Sequence, residues 1–434
     1  MRSWRFLAVV ILVLALIYTY LSWSLGRGTS HPGLAWLLAL IPVIGILTFP
    51  VLVFAARKRS AKFAKRELQG RHSSPEKPTE SAEQSESEEE PRASAAHWLA
   101  YLSMAGGSFL LPILILRDLA VLASDHFSQA TSVYLLNDQI SVAMPALATL
   151  LLIVGSRIAA RGLYLKRVDV PIELNDQEAE VALDGFKIAQ ISDLHIGPTI
   201  DRNYVQKTVD MTNSVEPDII VLTGDIGDGS PQVYQDDFAP LKHLRAKLGV
   251  FYVTGNHEYY SDAEKWMTMM TDAGMVVLRN SNQIIHYAGS SAALLKKVSI
   301  AVAGVVDPAA AMFLATDGPK PADAMLGANN ADIKILLAHQ PGIAALAEKA
   351  GFDLQISGHT HGGQFFPWNF VVKKVHQYHQ GLFKRGVMHI YVSPGTGSWG
   401  PPIRLGTRPE VSVLTLRSQA RAESKSDFAH GQGA

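Results

Sequence analysis

Four stretches within the first 160 residues are long and apolar enough to cross a hydrocarbon core as helices: about Phe6 to Leu25, Leu34 to Ala56, His97 to Leu116 and Ile140 to Ile158. Each is near or above the roughly 20 residues that such a crossing takes. They constrain this 434-residue chain more than any other feature, because a backbone in lipid has to satisfy its own amides and carbonyls, as a helix does. The first stretch is placed like a signal peptide. Its apolar run exceeds an ordinary h-region, however, with no small-residue cleavage pattern and no twin arginines before it. Four spans is the expected number.

Lysines and arginines in short flanking loops stay on the cytoplasmic side. Arg2 and Arg5 precede the first stretch, Arg57, Lys58, Arg59, Lys62, Lys65 and Arg66 follow the second, and Arg157, Arg161, Lys166 and Arg167 follow the fourth. The opposite loops carry only Arg27 and, beside Asp118, Arg117. The expectation is a multi-pass protein of the cell inner membrane, with its N-terminus and soluble domain cytoplasmic. Ser73 to Ala95, with Glu86, Glu88, Glu89 and Glu90, cannot bury enough apolar surface to offset ordering entropy and reads as a disordered loop.

Residues 1–167 are therefore read as a membrane anchor with the disordered loop near 60–95, 168–417 as a soluble domain, and 418–434 as a disordered tail. Lysine plus arginine equal aspartate plus glutamate at 39 each, so no bulk attraction to nucleic acid is expected. With no cysteine in the chain, thiolate metal sites and a cysteine nucleophile are excluded, and any metal is held by nitrogen and oxygen.

From Val168 short β-rich runs alternate with amphipathic segments, the pattern of an α/β domain. The clearest strands are Lys187 to Ser192, Asp218 to Thr223, Val250 to Val253, Val298 to Gly304, Ile333 to Leu337, Leu354 to Ser357 and His389 to Val392, with Val411 to Leu416 closing a sheet. Helices are expected over Asn203 to Val215 and from Ser261, where Glu264 completes a capping-box spacing. Five strings follow strand ends: I-S-D-L-H-I-G, L-T-G-D-I-G-D, V-T-G-N-H-E, L-L-A-H-Q-P and I-S-G-H-T-H-G-G. Loops leaving the carboxyl ends of strands can converge on one crevice.

Alone, each string is ambiguous. Asp193 and His195 would project to one side of an extended segment and grip one ion, yet D-x-H recurs by chance. Asp225 follows a buried strand, where an unpaired carboxylate is costly, but it could also cap a turn. Asn256 and His257 sit on a tight turn that Gly255 permits. His339 alone could be a satisfied core histidine, whereas His359 and His361 together can straddle a pair of ions about 4 Å apart. The order of the strings carries more than any one of them.

In that order the strings D-x-H, G-D-x-x-D, G-N-H-E, H and G-H-x-H resemble the calcineurin-like metallophosphoesterases. The resemblance covers about Phe186 to Leu416, and the ending G-T-G-S-W-G-P-P-I-R-L-G-T-R-P-E is similar to a bacterial, often membrane-associated branch. It implies a sandwich of two mixed β-sheets flanked by helices, here preceded by an all-α membrane region. It also implies one ion held by Asp193, His195, Asp225 and His361 and a second by Asp225, Asn256, His339 and His359. Asp225 would bridge, His257 would donate a proton to the leaving group, and Asp228 would orient it; His257 could instead only support a ligand.

Two divalent ions, manganese, iron or zinc, suit this mixed donor set. They would lower the pKa of a shared water and clamp the phosphoryl oxygens for in-line attack on a phosphodiester or pyrophosphate. Arg404 could meet a substrate phosphate or pack the terminus. Phe365, Phe366, Trp368 and Trp399 could form an apolar lip, with buried core the favoured reading. Placement beside a bilayer points to a lipid-linked phosphate ester substrate, such as a UDP-linked acylated sugar. The alternatives are a broad-specificity nucleotide phosphodiesterase or phosphatase, a non-catalytic metal-binding module, or a membrane sensor.

Overall fold

The computed structural model describes residues 16–25, 95–127, 132–289, 297–313 and 317–418. They divide into two compact units, one holding the described residues through Ala160 with Gly400–Leu405, the other Arg161–Trp399 with those from Gly406 on.

The first unit is helical, with α1 (Ala95–Phe127), α2 (Ser132–Ala160) and a helical stretch at 16–25. Within α1 and α2, His97–Ala123 and Ala143–Ala160 are long and apolar enough to cross a membrane. Of the two other expected spans, the first is helical where described, at 16–25, and Leu34 to Ala56 lies outside the described residues. Of the acidic loop near 60–95 only Ala95, where α1 begins, is described, and of the 418–434 tail only Ser418, which is in a strand.

Helix α1 does not stop at Leu116 as expected but continues to Phe127, so Arg117 and Asp118 lie within a helix rather than in a loop. The reason is that their charges are satisfied on the spot. Arg117 Nε and Nη2 donate to Asp118 Oδ1 at 2.8 and 2.6 Å, and Nη2 also donates to the Ser24 hydroxyl and carbonyl, each at 2.6 Å. The hydroxyls of Tyr20 and Ser24 donate to Asp118 Oδ2 at 2.8 and 2.7 Å. A buried charge that is paired and hydrogen-bonded costs far less than an isolated one, and the helix accommodates it.

The second unit is a sandwich of two six-stranded mixed sheets. In chain order the strands are β1 (Tyr164–Ile172), β2 (Lys187–Ile191), β3 (Ile219–Thr223), β4 (Val250–Val253), β5 (Val276–Val277), β6 (Ser281–Tyr287), β7 (Val298–Gly304), β8 (Ile333–Leu337), β9 (Leu354–Ser357), β10 (Gly381–Arg385), β11 (Met388–Val392) and β12 (Glu410–Ser418). One sheet runs β1-β12-β2-β3-β4-β5 and the other β10-β11-β9-β8-β7-β6. The neighbours β2, β3 and β4 are parallel, as are β7, β8 and β9.

Strand periodicity explains the layers, because alternate residues face opposite sides. Ile188, Val221 and Val253 of one sheet meet Ile300, Val302, Ile335 and Ile356 of the other in the central core. The alternate residues Ala189, Ile191, Ile220 and Leu222 pack outward against Val205 and Val209 of α3 (Arg202–Asn213). Trp266 and Met270 join the same cluster. The fold thus follows the expected sandwich.

Several boundaries differ. Strand β1 begins at Tyr164, earlier than the β-rich pattern suggested, because at the sheet edge it exposes Lys166 and Arg167 while pairing with β12. Strands β6 and β10 are also edges, and their mixed polarity hid them. The helix expected from Ser261 is two: α4 (Asn256–Ser261), and α5 (Ala263–Asp272) whose N-cap is Asp262, accepting the Lys265 amide at 3.2 Å. Glu264 instead pairs with Arg279 at 2.7 Å.

Candidate metal centre

Every ligand string begins where a parallel strand ends. Asp193 and His195 follow β2, Asp225 and Asp228 follow β3, and Asn256 and His257 follow β4; His339 follows β8, and His359 and His361 follow β9. Parallel neighbours present their carboxyl ends on one side, so three loops of one sheet and two of the other converge on one crevice.

The loops are not extended. Among the described residues eight non-glycines have positive φ, and five of them are Asp193 (51°), His195 (54°), Asp225 (52°), His359 (73°) and His361 (51°). A left-handed residue with a side chain costs about 1–2 kcal/mol, and such residues cluster where surrounding structure enforces them for function. Asp193 and His195 therefore do not meet through extended-strand alternation as the spacing suggested; each is turned separately out of the strand direction. Their amides donate to Gly224 O and Asp225 O, both at 3.0 Å, which fixes the turns.

At Gly255, Gly358 and Gly227 glycine makes room rather than supplying an unusual angle. Gly255 has a φ of −103° that any residue adopts, so it is not required by the turn. A Cβ there would lie 2.2 Å from Asp225 Oδ1, and one at Gly358 would lie 2.2 Å from Asp193 Oδ2. Gly227 is crowded from outside: a Cβ would come 1.9 Å from Trp266 Cζ2.

The donor atoms crowd around Asp225. His339 Nε2 is 3.1 Å and His195 Nε2 3.9 Å from Asp225 Oδ2. On one flank His195 Nε2 and His361 Nε2 are 3.1 Å apart, and His361 Nε2 is 3.4 Å from Asp193 Oδ1. On the other, His339 Nε2 is 3.2 Å from both His359 Nδ1 and Asn256 Oδ1. Asp193, His195 and His361 form one group whose ligand atoms all lie within 4.8 Å of one another, and Asp225, His339 and His359 form another. Imidazole nitrogens aimed at each other and at carboxylates make a donor set that fits divalent cations.

The electrostatics at His195 and His359 agree with that fit, while at His339 burial is overridden by Asp225, which holds the ring well above the usual histidine range. Burial pushes the His195 ring down to about 4 and the His359 ring down to about 3, which keeps both in the neutral form a cation needs. Burial raises the Asp193 carboxyl, and Asp225 adds to the rise. Burial would raise Asp225 too, but His339 and His257 override it and hold it well below the usual range. Two carboxylates buried this closely need positive charge nearby.

A further layer of bonds orients the donors. His339 Nδ1 donates to the Thr223 carbonyl at 2.8 Å, leaving Nε2 as the donor atom facing the crevice. The His359 amide donates to Asp193 Oδ1 at 2.9 Å. Glu258, fully buried, accepts the amides of Gly255, Asp225, Ile226 and Gly227 at 2.7, 3.0, 2.7 and 3.1 Å. His257 Nδ1 lies 3.0 Å from Asp228 Oδ1. Burial would lower this ring, but Asp228 and then Asp225 raise it to about 9.

The family comparison covers the strand-end loops that bear these residues. Residues 186–363 match the model of the calcineurin-like phosphoesterase family. A Danio rerio protein described as a transmembrane protein with metallophosphoesterase domain is 30% identical over 333 residues, 74% of each chain. The chain belongs to the calcineurin-like phosphoesterases. A Bos taurus protein of the same description is 36% identical over 283 residues, 63% of this chain and 62% of that one. An uncharacterized metallophosphoesterase of Helicobacter pylori strain J99 is 34% identical over 258 residues, 58% of this chain and 64% of that one. The chain thus spans somewhat under two thirds of the length of the bovine and Helicobacter relatives. Family and donor groups together make its second unit a phosphoesterase of the metal-dependent class.

Some residues near the site carry no signal in the strings. Tyr260 and Trp399 flank His257, ring centroids 5.4 and 6.2 Å away, and His376 lies 6.1 Å from the His359 ring. Glu258 was visible in G-N-H-E, but its amide-binding role depends on the fold. Arg404 is fully buried in the Gly400–Leu405 segment, and its amide donates to Gly155 O at 3.0 Å; that burial suits a packing role. Of the four aromatics expected in the core, Phe365 is buried, whereas Trp368 and Trp399 are exposed.

Proposed function

We propose that the chain is a membrane-anchored two-metal phosphoesterase that cleaves a phosphodiester or pyrophosphate bond of a lipid-linked substrate. The convergence of five loops on Asp225, with the His257–Asp228 pair beside it, carries this reading. Asp193, His195, Asp225 and His361 hold one cation; Asp225, Asn256, His339 and His359 hold the other. When bound, two divalent cations lower the pKa of a water and neutralise phosphoryl charge. Thr223 O fixes the tautomer of His339, and Glu258 anchors the Asp225 loop. Asp228 holds His257 through Nδ1, so Nε2 is the atom left to pass a proton to the leaving oxygen.

Helices α1 and α2 supply the anchor, and the lysine and arginine bias puts the phosphoesterase unit on the cytoplasmic face of an inner membrane. The descriptions of the bovine and Danio rerio relatives support a membrane-bound protein. A hydrolase fixed there meets amphiphilic phosphates at high local concentration. The full chain, in nanodiscs with manganese, is expected to cleave a UDP-linked acylated sugar faster than its deacylated counterpart. Equal turnover of both and of soluble nucleotides would shift the reading to a broad-specificity nucleotide phosphodiesterase. No turnover of these or of bis(p-nitrophenyl) phosphate, with two ions bound per chain, would leave a binding module.

A further inference from the structure

The helix that follows the His359–His361 loop, α6 (Trp368–Val375), has no buried residue. Its sequence W-N-F-V-V-K-K-V leaves Trp368 45%, Phe370 63%, Val371 44% and Val375 70% exposed. Exposed apolar surface usually marks a site of interaction, and Trp368, Val371 and Val375, spaced three and four residues apart, share one side of the helix. The helix is held at its start. The amides of Trp368 and Asn369 donate to Phe365 O at 2.9 and 3.4 Å. A Cβ at Gly363 would lie 2.4 Å from the Asn369 amide nitrogen, so glycine lets the helix begin directly against the loop that bears His361.

We propose that α6 docks into the headgroup and acyl boundary of an anionic bilayer and so holds the His359–His361 loop at the membrane surface. This rests on the membrane-anchored reading above. Short amphipathic helices that lie in this boundary combine apolar residues with lysines, and tryptophan favours the same depth. Lys373 and Lys374 in the last turn match anionic headgroups, which attract basic residues close to the surface. The chain also keeps a bilayer close: α2 ends at Ala160 and β1 starts at Tyr164, a link of about 10 Å when extended.

The absence of cysteine makes the test direct. Phe370→Cys, and separately Val387→Cys at an 81% exposed apolar position outside α6, are labelled with an environment-sensitive fluorophore in the full chain. Each is reconstituted in vesicles of phosphatidylglycerol and phosphatidylcholine containing lipids that carry a quencher near the glycerol. The label at 370 is expected to lose intensity as quencher lipid rises, while the label at 387 does not. Adding Lys373→Glu and Lys374→Glu should weaken quenching at 370 in the anionic vesicles and leave it unchanged in pure phosphatidylcholine. Equal quenching at both positions, none at 370 in a chain that floats with vesicles, or concentration-dependent self-quenching at 370 in detergent would overturn the proposal. A chain that does not float with vesicles would instead remove the anchored reading on which it rests.

Discussion

The two sheets contribute unlike walls to the metal centre. Strands β2, β3 and β4 deliver Asp193, Asp225 and Asn256 with a single ligand histidine, His195, whereas β8 and β9 deliver only the imidazoles of His339, His359 and His361. The first wall is stapled from within, since Glu258 accepts the three successive amides of Asp225, Ile226 and Gly227 and that of Gly255. The second wall leans on the first: His339 Nδ1 donates to Thr223 O, and the His359 amide donates to Asp193. Negative charge and rigidity thus reside on one wall and imidazole donors on the other. Damage to the first wall should spread across the site more than damage to the second.

Asp225→Asn should produce the largest loss. Metal-derived charge stabilisation is worth several kcal/mol, and each 1.4 kcal/mol is tenfold in rate. Turnover of a model diester should fall about 10⁴-fold, and metal analysis should find fewer than two ions per chain. His359→Ala, on the other wall, should lose the second ion selectively. If both variants keep two ions and near-normal rates, the division between the walls is wrong.

His257→Ala should cost less, about 10²- to 10⁴-fold, the range for a lost general acid. Because its ring is held by Asp228 rather than placed among the seven assigned ligands, both ions should stay bound. The decisive measurement pairs turnover with metal content. A variant as fast as the parent would remove the assigned acid.

Strings at strand ends were legible because ligand chemistry is local: G-N-H-E and G-H-T-H-G-G read the same before and after folding. The central strands were legible too, since Ile188, Val221 and Ile335 sit in runs buried on both faces. Edges were not, because β1, β6 and β10 mix exposed polar residues with partners far away in sequence. Nor was the backbone that aims the ligands. The left-handed angles of Asp193 and Asp225 are held by hydrogen bonds from their amides to Gly224 O and Glu258, partners that only the fold supplies. Arg117 and Asp118 misled for a related reason, since their partners Tyr20 and Ser24 lie some ninety residues earlier.

Glu258→Gln tests the staple on the first wall. The amide would turn two donor hydrogens toward backbone N–H groups, leaving some without an acceptor at about 1–3 kcal/mol each. Metal affinity should fall about 10- to 100-fold, as for other groups that orient ligands. The loss should appear at both ions in a metal titration, because Asp225 is the proposed bridge between them. A loss confined to one ion would separate the staple from the bridge.

The smallest effect should come from the tie between the walls. Gln190, buried between the sheets, donates through Nε2 to Thr223 Oγ1 at 2.7 Å and to Ser357 O at 2.8 Å, so one side chain links the strand ends that carry Asp225 and His359. Gln190→Met keeps the volume and removes both bonds. Thr223 keeps its bond to Ser192 Oγ at 2.7 Å and the Ser357 carbonyl keeps the Ser393 amide at 2.9 Å, so neither partner is stranded and the loss is about 1 kcal/mol net. For a unit of this size that is about 2–4 °C in Tm, with turnover reduced a few-fold and metal content unchanged. Loss of one ion in this variant would show that the second wall is positioned through Gln190 rather than through the ligand-to-backbone bonds at Thr223 and Asp193.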